Sequence, residues 1–333
     1  MDLNLSNFSA GTASNLVSEH VKVLILGAGP AGLSAALYAA RAELAPVVLT
    51  GTAIGGQASL THTIENYPGF PSGVGGSELG DLFQKQAENF GARLEYDSAT
   101  EVDLSRRPFS VKTYSKEYLA ETLIIATGAS PNHLNVPGEK ELTGRGVSYC
   151  ATCDGWFFKD KKVVVVGGGD SALEEGLFLT RFASEVTIIH RRDTLRAGPI
   201  LQRRATDNKK IKFLWDSVVT SINGEKAVET VTIKNVKTQE EYEVPTDGVF
   251  IFIGHKPNTE LFRGQLALDE SGYIISDMSM HTNIPGVFVA GEVSDPIYRQ
   301  VVTSAGMGAA AAIAATRFLE ANEDTTPEET VNA

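Results

Sequence analysis

Short apolar runs that end in glycine turns set the pattern of this chain. Val21–Leu26 predicts a strand, the turn Gly27-Ala28-Gly29-Pro30-Ala31-Gly32 follows it, and a helix then continues to about Arg41. Pro46–Leu49 predicts the next strand. A strand, a tight turn, a helix and a second strand together predict a parallel sheet with right-handed crossovers.

The same pattern returns 140 residues later. Lys162–Val166 predicts a strand, Gly167-Gly168-Gly169-Asp170-Ser171-Ala172 the turn, Ala172–Arg181 the helix and Val186–His190 the following strand. This interval is too long for a short repeat array. It predicts an α/β protein with two domains of similar architecture.

Two segments rich in Gly, Pro and Asn flank the second unit, at residues 128–132 and 254–259. Such residues break regular elements and set turns, so both segments are predicted hinges. The part after about Leu261 has a helix near Ala305–Leu319 but no glycine turn for a nucleotide, so it is expected to complete the first domain. The expected division is a discontinuous first domain, residues 1–130 and 258–333, and an inserted second domain, residues 131–257.

The two ends of the chain carry weaker patterns. Residues 1–20 look like a polar lead-in without Lys or Arg, which does not fit a signal or transit peptide. Glu320–Ala333 has five acids and no base and is expected to be frayed or disordered. The 18-residue uncharged run Val23–Ala40 is long enough to span a membrane, but its glycines and proline favour strand, turn and helix. No membrane association is expected.

Charge and cysteine content narrow the classes of function. Of 333 residues, 29 are Lys or Arg and 41 are Asp or Glu, which gives a net charge of −12. A broad nucleic-acid surface needs a basic field, so no nucleic-acid partner is expected. Cys150 and Cys153 are the only two cysteines, which is typical of a reducing, cytoplasmic compartment and not of a disulfide scaffold.

The first glycine turn has the spacing Gly27-x-Gly29-x-x-Gly32 between a strand and a helix. The first glycine permits the tight turn, the second lets a pyrophosphate approach, and the third lets the helix pack on the strand. The turn predicts dinucleotide binding, with a plain tight turn as the alternative. A ribose-binding acid is expected at the end of the second strand, where Leu49-Thr50-Gly51 stands instead. Simple NAD binding is therefore less favoured here.

The second turn, with Gly167, Gly169 and Ala172, has arginines where an acid would otherwise stand. Its second strand is followed by His190-Arg191-Arg192-Asp193-Thr194-Leu195-Arg196. Guanidinium groups match a ribose 2′-phosphate, which an acid would repel. The pattern favours NADPH over NADH, with a solvated basic surface as the alternative.

The segment Cys150-Ala151-Thr152-Cys153-Asp154-Gly155 places two thiols three residues apart. In a helical turn these positions share a face, so a disulfide is feasible, and a helix N-terminus lowers the pKa of a thiol. A zinc site, which would need two further ligands, and a pair of buried structural thiols are the alternatives. Asp154 is either a helix N-cap or a proton donor to a departing thiolate.

Taken together, the motifs resemble those of the low-molecular-weight, bacterial-type thioredoxin reductases among the FAD/NADPH pyridine nucleotide-disulfide oxidoreductases. They run in family order from about residue 21 to 319, and Cys150–Gly155 is the most diagnostic. The other matching motifs are Gly27–Gly32, Gly55-Gly56-Gln57, Glu65-Asn66-Tyr67-Pro68-Gly69, Ala126-Thr127-Gly128, Gly167–Glu175, His190–Arg196, Gly254–Thr259 and Tyr298-Arg299-Gln300. The resemblance implies two Rossmann-like, three-layer nucleotide-binding domains, with the NADPH domain inserted into the FAD domain.

The resemblance also implies where the cofactors bind. FAD would be held by Gly27, Gly29, Pro30, Ala31, Gly32, Thr50, Gly51, Gly55, Gly56, Gln57, Asn66, Thr127, Gly291, Glu292, Arg299, Gln300 and Val301. NADPH would be held by Gly167, Gly169, Asp170, Ser171, His190, Arg191, Arg192, Arg196, Ile253 and Gly254. One position departs from the family, which has Asp where this chain has Glu292, at an acid expected to bond the ribityl chain. The added methylene implies about 1 kcal/mol of misfit in a tight pocket.

The activity implied is that of a thioredoxin-disulfide reductase, which supports cell redox homeostasis. Electrons would pass from NADPH through FAD to the Cys150–Cys153 disulfide and on to oxidised thioredoxin. By the resemblance, Cys153 lies against the flavin, Cys150 exchanges with thioredoxin, Asp154 is the catalytic acid, and the protein is a homodimer. Because the cysteines and the nicotinamide must reach one flavin in turn, the two hinges suggest a domain rotation. Trp156 and Phe157 would form an apolar patch for the partner or part of a core.

Two other functions fit the same fold. A dithiol oxidase would not use NADPH, and the intact Gly169 with Arg191, Arg192 and Arg196 argues against it. A non-catalytic flavin redox sensor is favoured only by the departure at Glu292.

Overall fold

The computed structural model describes residues 17–51, 54–61, 63–64 and 66–323. The α-helices in this part of the chain are α1 (Pro30–Arg41), α2 (Gly76–Asn89), α3 (Ala151–Asp154), α4 (Asp170–Leu179), α5 (Pro199–Asp207) and α6 (Val301–Glu323). Short 3-10 helices cover Gly56–Leu60, Gly155–Phe158 and Glu260–Phe262.

The strands complete the chain order. They are β1 (Ser18–Leu26), β2 (Val47–Leu49), β3 (Arg93–Glu95), β4 (Ala99–Asp103), β5 (Phe109–Thr113), β6 (Glu117–Ile125), β7 (Ala129–Pro131), β8 (Val147–Ser148), β9 (Lys162–Val166), β10 (Glu185–Ile189), β11 (Ile211–Leu214), β12 (Ser217–Asn223), β13 (Thr230–Asn235), β14 (Glu241–Pro245), β15 (Gly248–Ile251), β16 (His255–Pro257) and β17 (Val287–Val289).

The largest sheet carries the first glycine turn. Its order is β3-β2-β1-β6-β5-β4, with β17 also pairing β6. Strands β3, β2, β1, β6 and β17 are parallel to one another, whereas β5 pairs antiparallel with both β6 and β4. Val23 and Ile25 pack in the cluster that contains the alanines of α1 and α6, and Leu24 and Leu26 pack in a second cluster with Phe109. Both faces of β1 are therefore buried, as expected for a central parallel strand.

The second sheet carries the other glycine turn and has the order β11-β10-β9-β15-β8, all parallel. Val163 and Val165 pack with α4, while Val164 and Val166 pack with the antiparallel sheet β12-β13-β14. The predicted α/β architecture with two similar parallel sheets in three layers is confirmed. In this domain one outer layer is a small β-sheet.

The two predicted hinges pair with each other. Strands β7 and β16 form a two-stranded antiparallel ribbon, in which Ala129 lies opposite Pro257 and Pro131 opposite His255. The strands of the second sheet all lie between them along the chain. The predicted domain limits at 130/131 and 257/258 fall on this ribbon.

Several elements differ from their predicted bounds. Strand β1 begins at Ser18 because residues 18–20 pair with β6, so part of the predicted polar lead-in is strand. Helix α4 begins at Asp170 and ends at Leu179, slightly before the predicted span. Helix α6 extends from Val301 to Glu323, so the first residues of the predicted frayed tail are helical. Residues 1–16 and 324–333 lie outside the described residues.

Helix α6 is the one helix of the described residues that is long and apolar enough, by length and composition alone, to cross a membrane. It packs along α1, with Ala311, Ala312 and Ala315 buried. At Gly308 a Cβ atom would lie 2.0 Å from the carbonyl oxygen of Ala31, so only glycine permits this close approach. These contacts bury one face of α6 against α1.

Candidate active site

The first glycine turn is held tightly between β1 and α1. Gly27 has φ +109° and donates from its backbone N–H to the carbonyl oxygen of Leu49 at 2.9 Å. A Cβ atom at Gly32 would lie 1.8 Å from the Gly27 carbonyl oxygen. The glycines therefore allow the first turn of α1, which carries the helix's unpaired backbone N–H groups, to lie at the end of the sheet.

Other predicted FAD residues converge on this turn. The backbone N–H of Gly55 donates to the Ala28 carbonyl at 2.8 Å, and a Cβ at Gly56 would lie 3.1 Å from the Gly29 Cα. A Cβ at Gly291 would lie 2.9 Å from the Ala31 Cβ. Two segments that are distant from the turn in sequence thus pack against it. Thr50 is buried at the end of β2, whereas Gln57 is exposed.

Asn66 and Gln300 join the first domain to the cysteine helix. Asn66 Nδ2 donates to Gln300 Oε1 at 3.1 Å, and Gln300 Nε2 donates to Thr152 Oγ1 at 3.2 Å. Thr152 lies between the two cysteines. The predicted flavin residues and the predicted redox pair therefore share one hydrogen-bonded chain.

Glu292 and Arg299 lie near this seam. Burial raises the pKa of the Glu292 carboxyl, and the positive charge of Arg299 opposes that shift. Arg299 Nη1 lies 2.7 Å from His255 Nδ1. Burial, with the Arg299 charge, lowers the pKa of His255 to about 4, so the ring is neutral and accepts from the guanidinium. Thr127 lies farther along, where its hydroxyl donates to the Asn258 carbonyl at 2.8 Å.

The second glycine turn repeats the first. Gly167 has φ +152° and donates to the Ile189 carbonyl at 3.1 Å. Gly169 is the N-cap of α4, and a Cβ atom placed there meets nothing within 4 Å. Asp170 Oδ1 accepts from the backbone N–H of Gly198 at 2.7 Å, so this acid closes the loop that leads into α5. Ser171 is half-buried in the first turn of α4.

The predicted arginines lie on the loop after β10. Arg191, Arg192 and Arg196 are all exposed, and the backbone N–H of Arg196 donates to the Gly168 carbonyl at 2.7 Å. That bond ties the arginine loop, residues 190–196, to the second glycine turn. Ile253 and Gly254 lie after β15, where their carbonyl oxygens accept from Asn132.

His190 is the buried member of the arginine loop. Its ring packs on Gly168, where a Cβ atom would lie 2.3 Å from Nδ1. Burial lowers the pKa of His190, and Nε2 has no hydrogen-bond partner among the described residues. An unpaired polar atom beside a glycine turn fits a site that a polar ligand completes.

Cys150 and Cys153 form a disulfide with a Cα–Cα distance of 5.3 Å. Cys150 is the N-cap of α3, and its Sγ accepts from the Cys153 backbone N–H at 3.2 Å. Of the three predicted possibilities, which were a disulfide, a zinc site and a pair of buried thiols, the structure has the disulfide. The described residues contain no group of three or more His, Cys, Asp or Glu side chains that could hold a metal ion.

Asp154 stands at the N-cap position of the 3-10 helix Gly155–Phe158, but its side chain makes no cap hydrogen bond there. Helix α3 begins at Ala151, so Asp154 is its last residue and Cys150 occupies the cap position. The Asp154 carboxylate accepts from the Ser148 hydroxyl at 2.6 Å. Burial raises the pKa of Asp154, which the Ser148 hydrogen bond partly opposes. A carboxyl that keeps its proton to higher pH, one residue from Cys153, suits a proton donor.

Trp156 and Phe157 are on the surface beside the disulfide. Their exposed fractions are 51% and 39%, which favours the apolar patch over the core among the two interpretations. Lys159 Nζ lies 5.3 Å from the Trp156 ring centroid, and Trp156 contacts Phe182 edge-to-face at 5.8 Å. Aromatic rings with adjacent cations form this face of the second domain.

A role for Glu175 was not predicted. Its Oε2 accepts from the backbone N–H of Ala151 at 3.2 Å, so it caps the cysteine helix. Burial raises the pKa of Glu175, and the Arg299 charge opposes the shift. The available signal was its position four residues after Ser171, on the same face of α4. Its partner, however, lies 24 residues away in sequence.

Both glycine turns fit nucleotide cofactors. Each presents a helix N-terminus, and at each turn backbone or side-chain atoms occupy the space where most Cβ atoms would stand. The unpaired His190 Nε2 and the exposed arginines give the second turn a polar and cationic rim. The partly buried Glu292 gives the first turn a carboxylate of raised pKa.

Comparison with known proteins agrees with this geometry. Residues 21–308 match the family model described as pyridine nucleotide-disulphide oxidoreductase. The chain is 54% identical over 303 residues to a thioredoxin reductase of Rickettsia bellii, covering 90% of this chain and 98% of the relative. A solved thioredoxin reductase from Streptococcus pyogenes is 45% identical and covers 92% of this chain and 100% of its own, with a TM-score of 0.87.

Another solved relative differs in shape. The Lactococcus lactis thioredoxin reductase in its FR conformation is 44% identical and covers 90% of this chain and 99% of its own, but its TM-score is 0.62. The two solved relatives are thus almost equally similar to this chain in sequence, but the Streptococcus pyogenes structure superposes on it much better than the Lactococcus lactis structure does.

These matches confirm the resemblance, and with it an oxidoreductase with two nucleotide-binding units that uses FAD and NADPH. The chain belongs to the pyridine nucleotide-disulphide oxidoreductase family, among the thioredoxin reductases.

Proposed function

We propose that the protein reduces the disulfide of oxidised thioredoxin with electrons from NADPH. The observation that carries this function is the Cys150–Cys153 disulfide, joined through Thr152, Gln300 and Asn66 to the predicted flavin residues. FAD and NADPH, when bound, supply hydride and electron transfer. The first glycine turn with the residues enclosing it would hold FAD, and the second turn with the arginine loop would hold NADPH.

The cysteines carry the two electrons to the protein substrate. Reduction of their disulfide takes two electrons and two protons and leaves two thiols. Cys150 attacks the thioredoxin disulfide as a thiolate, which gives a mixed disulfide and one free thioredoxin thiolate. Cys153 then attacks Cys150 Sγ, which restores the Cys150–Cys153 disulfide and releases the second thioredoxin sulfur. The net result is one oxidised pair and one reduced pair.

Asp154 holds a proton for this exchange. Its raised pKa keeps the carboxyl protonated above the pH at which an exposed aspartate ionises. The proton passes from the Asp154 carboxyl to a leaving thiolate, and Ser148 keeps the carboxyl in place at 2.6 Å.

Rotation of the inserted domain would let the cysteines and NADPH use the flavin in turn. The ribbon β7–β16 supports this because both chain connections lie side by side. The unequal TM-scores of two relatives at nearly equal identity are a second support. A cross-link across the ribbon that leaves turnover unchanged would end the rotation hypothesis.

The partner would dock beside Cys150. The exposed Trp156 and Phe157, with the Lys159 ammonium over the indole, offer an apolar and cationic face next to the disulfide. An exposed apolar patch of this kind is typical of a protein–protein interaction site.

A homodimer through α6 is the proposed assembly. Only 33% of the apolar window of α6 is buried, and Val302 and Ile313 are each 41% exposed on the face that α1 does not cover. An uncovered apolar helix face of this length is typical of an interface. Ile313→Glu is expected to give a monomer in light scattering. The scarcity of cysteines supports a cytoplasmic location.

The test of function compares wild type with Cys153→Ser. The variant is expected to stay yellow and to be bleached by anaerobic NADPH, but to reduce thioredoxin at least about a thousandfold more slowly, because it has no resolving thiol. Cys150→Ser is the matched control and should lose the same activity. Wild-type thioredoxin reduction by Cys153→Ser would contradict the proposal, and absent bleaching of the wild type by NADPH would indicate a dithiol oxidase.

A further inference from the structure

One lysine joins three segments beside the arginine loop. Lys237 Nζ lies 3.0 Å from Asp193 Oδ2 and 2.9 Å from Asp216 Oδ2. Asp193 is within the arginine loop, Asp216 follows β11, and Lys237 is in the turn between β13 and β14. A single ammonium group thus connects the arginine loop, the turn after β11 and the turn between β13 and β14.

The turn that presents Lys237 is fixed by its own hydrogen bonds. Asn235 Oδ1 accepts from the backbone N–H groups of Lys237 and Thr238, both at 2.9 Å. The Val236 N–H donates to the Asp216 carbonyl at 2.6 Å, and the Asp216 N–H donates to the Arg192 carbonyl at 3.3 Å. Lys237 is therefore held against the loop by backbone contacts as well as by charge.

The charges in the loop explain what the lysine does. Asp193 stands between Arg192 and Arg196, and its carboxylate repels the same anion that the arginines would attract. Hydrogen bonding to Lys237 lowers the pKa of Asp193, so this acid is ionised at neutral pH. Hydrogen bonding to Asp216 raises the pKa of Lys237, so the lysine is charged.

We propose that Lys237 is a positioning residue for NADPH, which orients the arginine loop and offsets the two carboxylates beside the 2′-phosphate. The inference rests on the proposed assignment of Arg191, Arg192 and Arg196 to that phosphate. Lys237 does not contact the cofactor in this role; it acts through Asp193 and the backbone of Arg192.

The chain offers a matched control for the charge change. Lys212 on β11 pairs with Glu185 at 2.6 Å, and its side chain is 64% exposed, against 60% for Lys237. Lys212 and Glu185 lie near the starts of β11 and β10, whereas the arginine loop follows the end of β10. Lys212→Gln therefore removes one positive charge from the same domain without touching the arginine loop.

The test measures equilibrium binding to the oxidised holoenzyme by calorimetry, with 2′,5′-ADP and 5′-AMP as probes. Lys237→Gln is expected to weaken 2′,5′-ADP about fivefold at about 0.05 M salt, and the loss should shrink at about 0.5 M salt because the charges are exposed. Binding of 5′-AMP should be unchanged in Lys237→Gln, and binding of both probes unchanged in Lys212→Gln. Lys237→Arg should restore most of the affinity.

A second variant keeps the proposal testable if Lys237→Gln folds poorly. Asp193→Asn breaks the contact between Lys237 and the arginine loop and is expected to weaken binding of 2′,5′-ADP about twofold, less than Lys237→Gln does, because a repelling carboxylate is lost as well. Equal weakening of both probes by Lys237→Gln, or no weakening, would overturn the inference. Arg191→Gln is the reference: if it leaves 2′,5′-ADP binding unchanged, the proposed phosphate site fails, whereas if it weakens binding and Lys237→Gln does not, only the role of Lys237 fails.

Discussion

The two glycine turns share a backbone and differ in their surroundings. The first, at Gly27–Gly32, is enclosed by the 55–56 segment, by Gly291 and by α6. The second, at Gly167–Ala172, leaves Gly169 open and is flanked by three exposed arginines. An enclosed turn suits a cofactor that stays bound through many turnovers. An open, cationic turn suits a nucleotide that must enter and leave in each cycle. The positive charges attract the nucleotide, and the exposure of the turn allows it to dissociate.

The same difference appears at the third position of each turn. Gly32 is so close to the Gly27 carbonyl that no Cβ fits, whereas the second turn has Ala172, fully buried, at the equivalent place. The third position of the first turn therefore leaves no room for a side chain, whereas that of the second turn accommodates a methyl group. The tighter packing of the first turn accompanies its enclosure by three other segments.

The largest effect should come from adding one methyl group to each turn. Gly32→Ala places a Cβ 1.8 Å from a backbone oxygen, so the turn must open, and the protein is expected to purify without yellow colour. Gly169→Ala meets nothing within 4 Å, so it should fold and stay yellow while its KM for NADPH rises about tenfold, because the methyl stands where phosphate approaches. The readouts are the flavin-to-protein absorbance ratio and steady-state kinetics. A yellow, active Gly32→Ala protein would contradict the enclosed first turn.

Removing one guanidinium should affect only the second turn. Arg191→Gln is expected to raise the KM for NADPH about tenfold, as the loss of one charged hydrogen bond, and to leave the KM for NADH nearly unchanged. Flavin content should be that of the wild type. Equal changes for both nucleotides would mean that Arg191 does not recognise the 2′-phosphate.

Salt concentration should have a smaller effect, which is confined to nucleotide binding at the second turn. Because Arg191, Arg192 and Arg196 are exposed, the KM for NADPH is expected to rise about threefold between about 0.05 M and about 0.5 M salt. Flavin retention on a desalting column should not change over that range. Loss of flavin at high salt would place exposed charges at the first turn as well.

The smallest expected effect is a pH dependence of the free energy of unfolding that comes from Glu292, near the first turn. Burial raises the pKa of Glu292, so the folded protein binds a proton more tightly than the unfolded chain does. The free energy of unfolding therefore falls as pH rises from the ordinary glutamate pKa through the raised one. In flavin-free protein, Glu292→Gln should reduce that fall at pH values above the ordinary glutamate pKa, as measured by urea titrations. An unchanged slope would mean that Glu292 is solvated.

Local patterns predicted the turns, and tertiary contacts explain what they missed. The spacing of Gly27, Gly29 and Gly32 suffices because the turn's geometry depends on adjacent residues. Asp154 precedes the 3-10 helix Gly155–Phe158 as a cap residue would, but its carboxylate accepts from Ser148, six residues earlier, which no cap pattern indicates. Glu175 and Lys237 act on partners 24 and 44 residues away, which no local spacing indicates.

The length of α6 shows the same limit. Gly306 and Gly308 lie inside α6 although glycine lowers helix propensity, and the helix begins four residues before the predicted start at Ala305. In the structure, Gly308 packs on Ala31 and the helix begins at Val301, because packing along α1 outweighs local preference.

The ribbon β7–β16 has a consequence for how such a chain can be built. Because Ala129 lies opposite Pro257, the incoming and outgoing ends of the inserted segment are neighbours in space. A short loop joining those ends would close the inserted domain into a chain of its own. A different domain could be inserted at the same junction without distorting the first domain, provided that its own termini lie close together.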